Sequence, residues 1–146
     1  MSRVSLQEMP SLARSVLGIL SGATKNDSAF VIALEGNLGA GKTTLVQTLA
    51  KELGVSVVVQ SPTYVLMKSY PIQFGSFTTL IHIDAYRLDV PEEFSALKPE
   101  KFLNDPHVLV CIEWPERLKG VLPETDMKLV FSHIEGEENM REVEGI

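Results

Sequence analysis

Apolar and polar residues alternate along this chain in blocks whose lengths suit strands and helices. Residues 29–35 form a short apolar run, as expected of a buried strand. Residues 42–53 place three leucines four positions apart, which is one face of a helix, and Gly54 follows as a helix stop. The pattern therefore predicts a strand, a short connection and a helix over 29–53.

A second amphipathic helix is predicted near the start of the chain, from about Pro10 to Ser21. Two signals compete for its first residue. Ser5 and Glu8 have capping-box spacing, whereas Pro10 suits the first turn of a helix. The pattern leaves both starts open.

The remaining blocks predict more strands and a short extended piece over 64–67. They also predict a hairpin turn over Pro71–Ser76 and helical pieces over 90–103 that break at Pro99. The strands are predicted over 55–59, 78–84, 108–114 and 127–134, with a last edge strand over 139–146. Strands interleaved with helices predict an α/β sandwich, and the hairpin gives its sheet an antiparallel part. No linker or repeat divides the chain, so a single domain over 1–146 is expected.

The connection between the first strand and its helix carries a phosphate-binding motif, since GNLGAGKT at 36–43 fits G-x-x-x-x-G-K-[ST]. The glycines let backbone N–H groups turn toward phosphate oxygens, and the helix adds the positive end of its dipole. Lys42 is expected to reach the β- and γ-phosphates and Thr43 to bind Mg²⁺. A glycine-rich turn that matches by accident is the alternative. The predicted nucleotide-binding residues are Gly36, Asn37, Leu38, Gly39, Ala40, Gly41, Lys42, Thr43 and Thr44.

Two further strands end in acids. Asp84 and Glu113 each follow an apolar run, and open α/β sheets bind ligands at the carboxyl ends of their strands. Both are therefore candidates for a site near Mg²⁺. The alternatives are a turn or cap residue for Asp84 and a solvated strand end for Glu113.

Polar and aromatic residues near these positions each have a functional and a structural interpretation. Thr63 could lie in a switch segment or in a simple turn, and Arg87 could carry charge to the site or form a surface ion pair. Trp114 could pack in the core or line the nucleotide pocket. His82 could pair with Asp84 on a metal, although a buried core histidine is the commoner case.

Composition narrows the function classes. The chain has 146 residues, of which 45% are hydrophobic and 22% charged, and no apolar run reaches the ~20 residues of a membrane helix. Residues 1–10 lack a secretion-signal layout, and one cysteine, Cys111, fits a reducing cytoplasm. The net charge of −6 disfavours unaided binding to nucleic acid.

Four motifs in this order resemble the TsaE family, small bacterial P-loop ATPases of tRNA threonylcarbamoyladenosine synthesis. They are GNLGAGKT at 36–43, SPTY at 61–64, HIDAYR at 82–87 and IEWPE at 112–116. The resemblance runs from about Leu34 to Pro123. It implies a three-layer P-loop NTPase sandwich, with a mostly parallel sheet and helices on both faces.

The resemblance also implies a site. ATP would bind at the loop with Trp114 nearby, and Mg²⁺ would be held by Thr43, Asp84 and Glu113. Lys42, Thr63, Asp84 and Glu113 would form the catalytic set, with Thr63 in a switch-like segment. The N-terminal segment around Met9 would reach the adenine.

The partners implied by the resemblance are the TsaB and TsaD proteins. ATP hydrolysis, weak in the isolated protein, would reset the transferase that modifies adenosine 37, so tRNA would be met only through the complex. A small-molecule kinase is the alternative, but arginines are sparse after the loop. A GTPase would need an Asn-Lys-x-Asp strand end, which this chain does not contain, and a nucleotide-binding module without turnover would differ from the ATPase only in rate.

We expect Lys42→Ala to abolish ATP binding or turnover, because the γ-phosphate loses its main cation. Calorimetry with ATP and phosphate release in the partner complex measure the effect. A variant that hydrolyses ATP as fast as the parent would remove Lys42 from the site.

Overall fold

In the computed structural model, residues 2–23, 27–37, 39–56, 67–122 and 124–145 are described, and seven strands of these ranges form one sheet. The strands are β1 (Ser2–Ser5), β2 (Phe30–Gly36), β3 (Met67–Phe74), β4 (Phe77–Asp84), β5 (Val108–Glu113), β6 (Met127–Ile134) and β7 (Glu137–Glu144). The helices are α1 (Met9–Ser21), α2 (Lys42–Glu52) and the short α3 (Glu100–Leu103). Short 3₁₀ segments cover Leu6–Glu8, Pro91–Leu97 and Pro115–Leu118.

The strand order is β1-β7-β6-β2-β5-β4-β3. The four central strands β6, β2, β5 and β4 are parallel, whereas β3, β7 and β1 pair antiparallel at the two sides. Every residue of β5 is buried, as expected for a parallel strand that is covered on both faces. The predicted parallel core with an antiparallel part is confirmed.

Helical elements cover both faces of the sheet. On one face, α1 and α2 pack on each other and form a core with apolar residues of the strands. On the other face, the 3₁₀ segments and α3 bury Phe94, Phe102 and Leu118 against β4 and β5. These two apolar layers confirm the three-layer α/β sandwich predicted from the sequence.

The structure contains both of the features that the sequence offers for the start of the first helix. Ser5 and Glu8 form a capping box that begins the 3₁₀ segment Leu6–Glu8, and α1 starts directly afterwards with Pro10 in its first turn. Proline suits this position because its missing N–H has no helical acceptor there. The N-terminal segment therefore forms a capped 3₁₀ turn that continues directly into α1.

The structure corrects the predicted sheet edges. The C-terminal strand β7 was predicted at an edge, but the strand β1, which the sequence pattern missed, pairs with it and forms that edge. The four residues of β1 are too few for a clear period-2 pattern.

The predicted hairpin is present, but its turn is narrower than 71–76. Pro71 lies inside β3 and the turn falls at Gly75 and Ser76. Proline is tolerated there because β3 is an edge strand. Of the strand predicted over 55–59, Val55 and Ser56 are not in a strand, and 57–59 lie outside the described residues, as do 64–66 of the extended piece.

The described part of the chain contains no helix that is both long and apolar enough to cross a membrane.

We expect Leu49→Ala to lower the free energy of unfolding by about 2–5 kcal/mol, because Leu49 is 1% exposed in the core that α1 and α2 form with the sheet. Ile19→Ala on α1 is the matched control, since Ile19 is 44% exposed. Urea unfolding followed by circular dichroism measures both. Equal losses in the two variants would contradict the described packing.

Candidate functional site

Three parallel strands deliver the candidate residues to one edge of the sheet. β2 ends at Gly36 and runs into the phosphate-binding motif, while β4 and β5 end at Asp84 and Glu113. The register sets Asp84 opposite Glu113, and Glu113 opposite Leu34 of β2. Because all three strands run in the same direction, their carboxyl ends meet beside the start of α2.

The loop after β2 has a shape that requires glycine. Gly41 adopts a φ of +106° at the N-cap of α2, and a Cβ there would lie 2.9 Å from Met9 Cε. Gly36 adopts a φ of +144°, and a Cβ there would lie 2.6 Å from the Phe131 carbonyl oxygen. The first amides of α2 have no acceptor within the helix, so they are available to an anion.

A cavity of about 240 Å³ opens at this point. It is lined by loop residues, the two acids and residues from both ends of the chain. The lining residues are Leu6, Gly39, Ala40, Gly41, Lys42, Thr43, Thr44, Asp84, Tyr86, Glu113, Trp114 and Arg141.

Lys42 is almost completely buried in the wall of this cavity. Its Nζ donates to the Gly36 carbonyl oxygen at 2.5 Å and lies 3.6 Å from the centroid of the Trp114 ring. Burial lowers the pKa of Lys42 from its usual value, and the carboxylates of Glu113, Glu116 and Asp84 oppose that shift. An anionic ligand in the cavity would favour the charged ammonium.

Thr43, Glu113 and His82 form a chain of hydrogen bonds. Thr43 Oγ1 lies 2.8 and 2.9 Å from the two carboxylate oxygens of Glu113, and His82 Nε2 lies 2.6 Å from Glu113 Oε2. The carboxylate can only accept, so the Thr43 hydroxyl donates and the oxygen keeps its lone pairs for another partner. Hydroxyl and carboxylate oxygens are the ligands that Mg²⁺ prefers.

His82 contacts Glu113 but lies outside the cavity. It is fully buried, and its Nδ1 has no hydrogen-bond partner in the part of the chain that the structure describes. The structure thus places it as a buried histidine that fixes the position of Glu113.

Trp114 turns the chain at the end of β5. It adopts a left-handed conformation, with φ 62° and ψ 50°, and its ring lies 5.0 Å from that of Tyr86. A left-handed non-glycine residue costs of order 1 kcal/mol or more. The backbone strain is offset by the contacts that bring the two rings together beside Lys42.

Asp84 completes the acidic side of the cavity. It is half-buried, and its Oδ1 accepts a hydrogen bond from the Tyr86 backbone N–H at 3.0 Å. This local turn holds the carboxylate at the strand end.

The structure brings most of the predicted residues together. Gly39 through Thr44, Asp84, Glu113 and Trp114 line one cavity, and Gly36 supplies the carbonyl that binds Lys42. Asn37 is exposed and does not line it, while its carbonyl accepts from the Ala40 N–H at 3.1 Å. Leu38 and Thr63 lie outside the described residues.

Sequence reasoning missed three lining residues, Leu6, Tyr86 and Arg141. Tyr86 carried a signal, because it belongs to the HIDAYR motif, but Leu6 and Arg141 carried none. Met9, expected near a bound adenine, is buried and packs against the loop at Gly41. Leu6 is the residue of that segment that lines the cavity.

The residues present fit a nucleotide with Mg²⁺ better than a metal bound by protein alone. Among the described residues, no group of three or more His, Cys, Asp or Glu side chains could hold a metal ion. Mg²⁺ commonly takes one or two carboxylates from the protein and completes its shell with waters and substrate phosphates. Glu113 and Asp84 beside the Thr43 hydroxyl match that donor set.

The fold and the loop together define a P-loop protein of the nucleotide-binding class. The model of the TsaE family, described as threonylcarbamoyl adenosine biosynthesis protein TsaE, matches residues 4–143. The chain therefore belongs to the TsaE family, as its motifs predicted.

Curated relatives and a solved structure agree with this assignment. A Nostoc protein named tRNA threonylcarbamoyladenosine biosynthesis protein TsaE is 39% identical over 88% of this chain and 76% of its own length. A protein of the same name from Haemophilus influenzae is 34% identical over 78% and 70%. The crystal structure of Bacillus subtilis YdiB superposes with a TM-score of 0.68 at 26% identity, covering 97% of this chain and 80% of that one.

We expect Cys111 to resist thiol reagents at pH 8 in the folded protein. Cys111 is buried in β5, and burial raises the pKa of its thiol to about 12, with the nearby charge of Glu113 adding to the shift. Because the pKa is raised, the thiol stays neutral to a higher pH in the folded protein than in the unfolded chain. The stability that the neutral thiol contributes is therefore present below the usual thiol pKa of about 8.5 and is lost as the pH rises from about 8.5 toward about 12. Modification with a colorimetric disulfide reagent, before and after denaturation, measures this. Fast labelling without denaturant would show that the strand is not buried as described.

Proposed function

We propose that this protein is a Mg²⁺-dependent ATPase subunit of tRNA N6-threonylcarbamoyladenosine synthesis, acting in the cytoplasm. The observation that carries the proposal is the meeting of Thr43, Glu113 and Asp84 at three neighbouring points around the phosphate-binding loop. Family membership supports the pathway. Hydrolysis would serve to reset the partner transferase that modifies adenosine 37.

The loop amides and Lys42 bind and orient the phosphates in this proposal. Lys42 donates to the Gly36 carbonyl and lies over Trp114, so its ammonium is held in the wall of the cavity. A cation that is already positioned loses little conformational entropy when the phosphate arrives.

Thr43, Glu113 and Asp84 are the proposed Mg²⁺ ligands. Bound Mg²⁺ would neutralise negative charge on the phosphates as they react. The Thr43 hydroxyl donates to Glu113, which leaves its lone pairs free to bind Mg²⁺. His82 holds the second carboxylate oxygen of Glu113 from below. Thr63 remains the proposed switch residue.

We assign two roles to the side chains that line the cavity, which are contact with the nucleotide and exclusion of water. The Trp114 ring covers the Lys42 ammonium, and Tyr86 packs against Trp114. Leu6 lines the cavity from the N-terminal segment, and we assign it the apolar contact with the adenine.

TsaB and TsaD are the proposed partners, and turnover in the isolated protein is expected to be weak. The net charge of −6 fits a subunit that meets tRNA only through the complex, because binding to nucleic acid depends on lysine and arginine.

Phosphate release from ATP, with and without TsaB and TsaD, tests the function. The partners should stimulate release, and Glu113→Gln should lower it by about a hundredfold while the complex still assembles. Glutamine keeps the shape of Glu113 but removes the charge that holds Mg²⁺. Complex formation is followed by gel filtration.

Glu100→Ala is the control, since Glu100 is exposed on α3 and does not line the cavity. Undiminished Mg²⁺-dependent hydrolysis by Glu113→Gln would remove Glu113 from the site. Transfer of phosphate to a metabolite, in place of release, would favour the alternative of a small-molecule kinase.

A further inference from the structure

Arg141 is a buried cation that no motif of this chain contains. It lies in β7, opposite Val4 of β1 and His133 of β6, and its side chain reaches the phosphate-binding loop. Nη2 donates to the Gly39 carbonyl oxygen at 3.1 Å, across 102 residues of sequence. A side chain from the C-terminal strand thus contacts the loop that follows β2.

The charge of Arg141 is incompletely balanced. Nη1 donates to the carbonyl oxygens of Glu138 and Met140 at 2.6 and 2.8 Å, whereas Nε is buried and has no hydrogen-bond partner among the described residues. The residue is only 7% exposed, and it forms no ion pair with a carboxylate of the described residues. Burying a charged group without a counter-ion is costly, and carbonyl dipoles compensate only part of that cost.

The cavity supplies the place for the missing anion. Of the described residues that line it, Lys42 and Arg141 are the two cations. A nucleoside triphosphate carries more negative charge than one Mg²⁺ neutralises. The planar guanidinium also suits phosphate oxygens, because its N–H groups form a fixed fork.

We propose that Arg141 is a further phosphate-binding residue, whose guanidinium contacts the nucleotide while its Nη2 also holds the loop at Gly39. The inference rests on the proposed function, because it takes the triphosphate as the ligand of the cavity. It makes β7 a part of the nucleotide site. Binding at the loop is then coupled to the C-terminal hairpin of β6 and β7.

Two substitutions separate the charge of Arg141 from its hydrogen bonds to the loop. Arg141→Lys keeps the charge, Arg141→Gln does not, and both side chains can still donate to a carbonyl oxygen. Calorimetry with Mg²⁺-ATP should show Arg141→Lys within about fivefold of the parent and Arg141→Gln weaker by about tenfold or more. Arg3→Gln is the matched control on β1, since the Arg3 side chain is 64% exposed, and it should bind as the parent does.

Equal affinities for Arg141→Lys and Arg141→Gln, whether both are reduced or both match the parent, would overturn the proposal. Equal reductions would assign Arg141 the structural role of holding the loop. Failure of the parent to bind Mg²⁺-ATP would instead overturn the proposed function, so the two failures are distinguishable.

A second measurement is made on the parent protein, and a variant serves only to assign the signal. The arginine Nε–H signals of the ¹⁵N-labelled parent can be followed by NMR during titration with Mg²⁺-ATP, with the Arg141 signal assigned by its loss in Arg141→Lys. We expect that signal to move as the guanidinium gains a phosphate partner. A stationary signal at saturating Mg²⁺-ATP would show that the guanidinium makes no contact with the nucleotide.

Discussion

The parallel pairing of β2, β5 and β4 is the constraint on which the rest of the site depends. Parallel strands share a direction, so their carboxyl ends lie at one edge, and the register then sets Asp84 opposite Glu113. A slip of one residue would turn Glu113 to the other face of the sheet, away from Thr43. The buried interior of β5 opposes such a slip, because its alternate side chains pack into two different apolar clusters on the two faces of the sheet.

The charged side chains at this edge of the sheet are buried, and their burial determines how strongly they interact. Lys42 and Glu113 are both nearly inaccessible, and each is held by neutral or polar partners: a carbonyl and an aromatic ring for Lys42, a hydroxyl and an imidazole for Glu113. Interactions between charges are strong in such surroundings, and unpaired charges there are costly. These surroundings support the proposed ligand, which brings both phosphate and a metal ion. The proposed ATPase function uses these groups.

The two ends of the chain also contribute to the site, although both lie far from the phosphate-binding loop in the sequence. β1 pairs with β7, the capping box at Ser5 and Glu8 leads on to α1, and Met9 packs against the loop at Gly41. Through these contacts residues 2–9 and the last strand support a loop that lies far from both in the sequence. The N-terminal segment is thus part of the candidate site, through Leu6, as well as of the sheet.

Local pattern by itself determined the α/β class, the phosphate-binding loop with its helix, and the acids at two strand ends. Each of these is encoded by neighbouring residues: glycine spacing in the loop, a period near 3.6 in α2, and apolar runs before Asp84 and Glu113. Only the tertiary structure decided that β1 rather than β7 forms the edge, that His82 holds Glu113, and that Arg141 reaches Gly39. Those contacts join segments 31 to about 140 residues apart, and no local periodicity specifies which distant strands become neighbours.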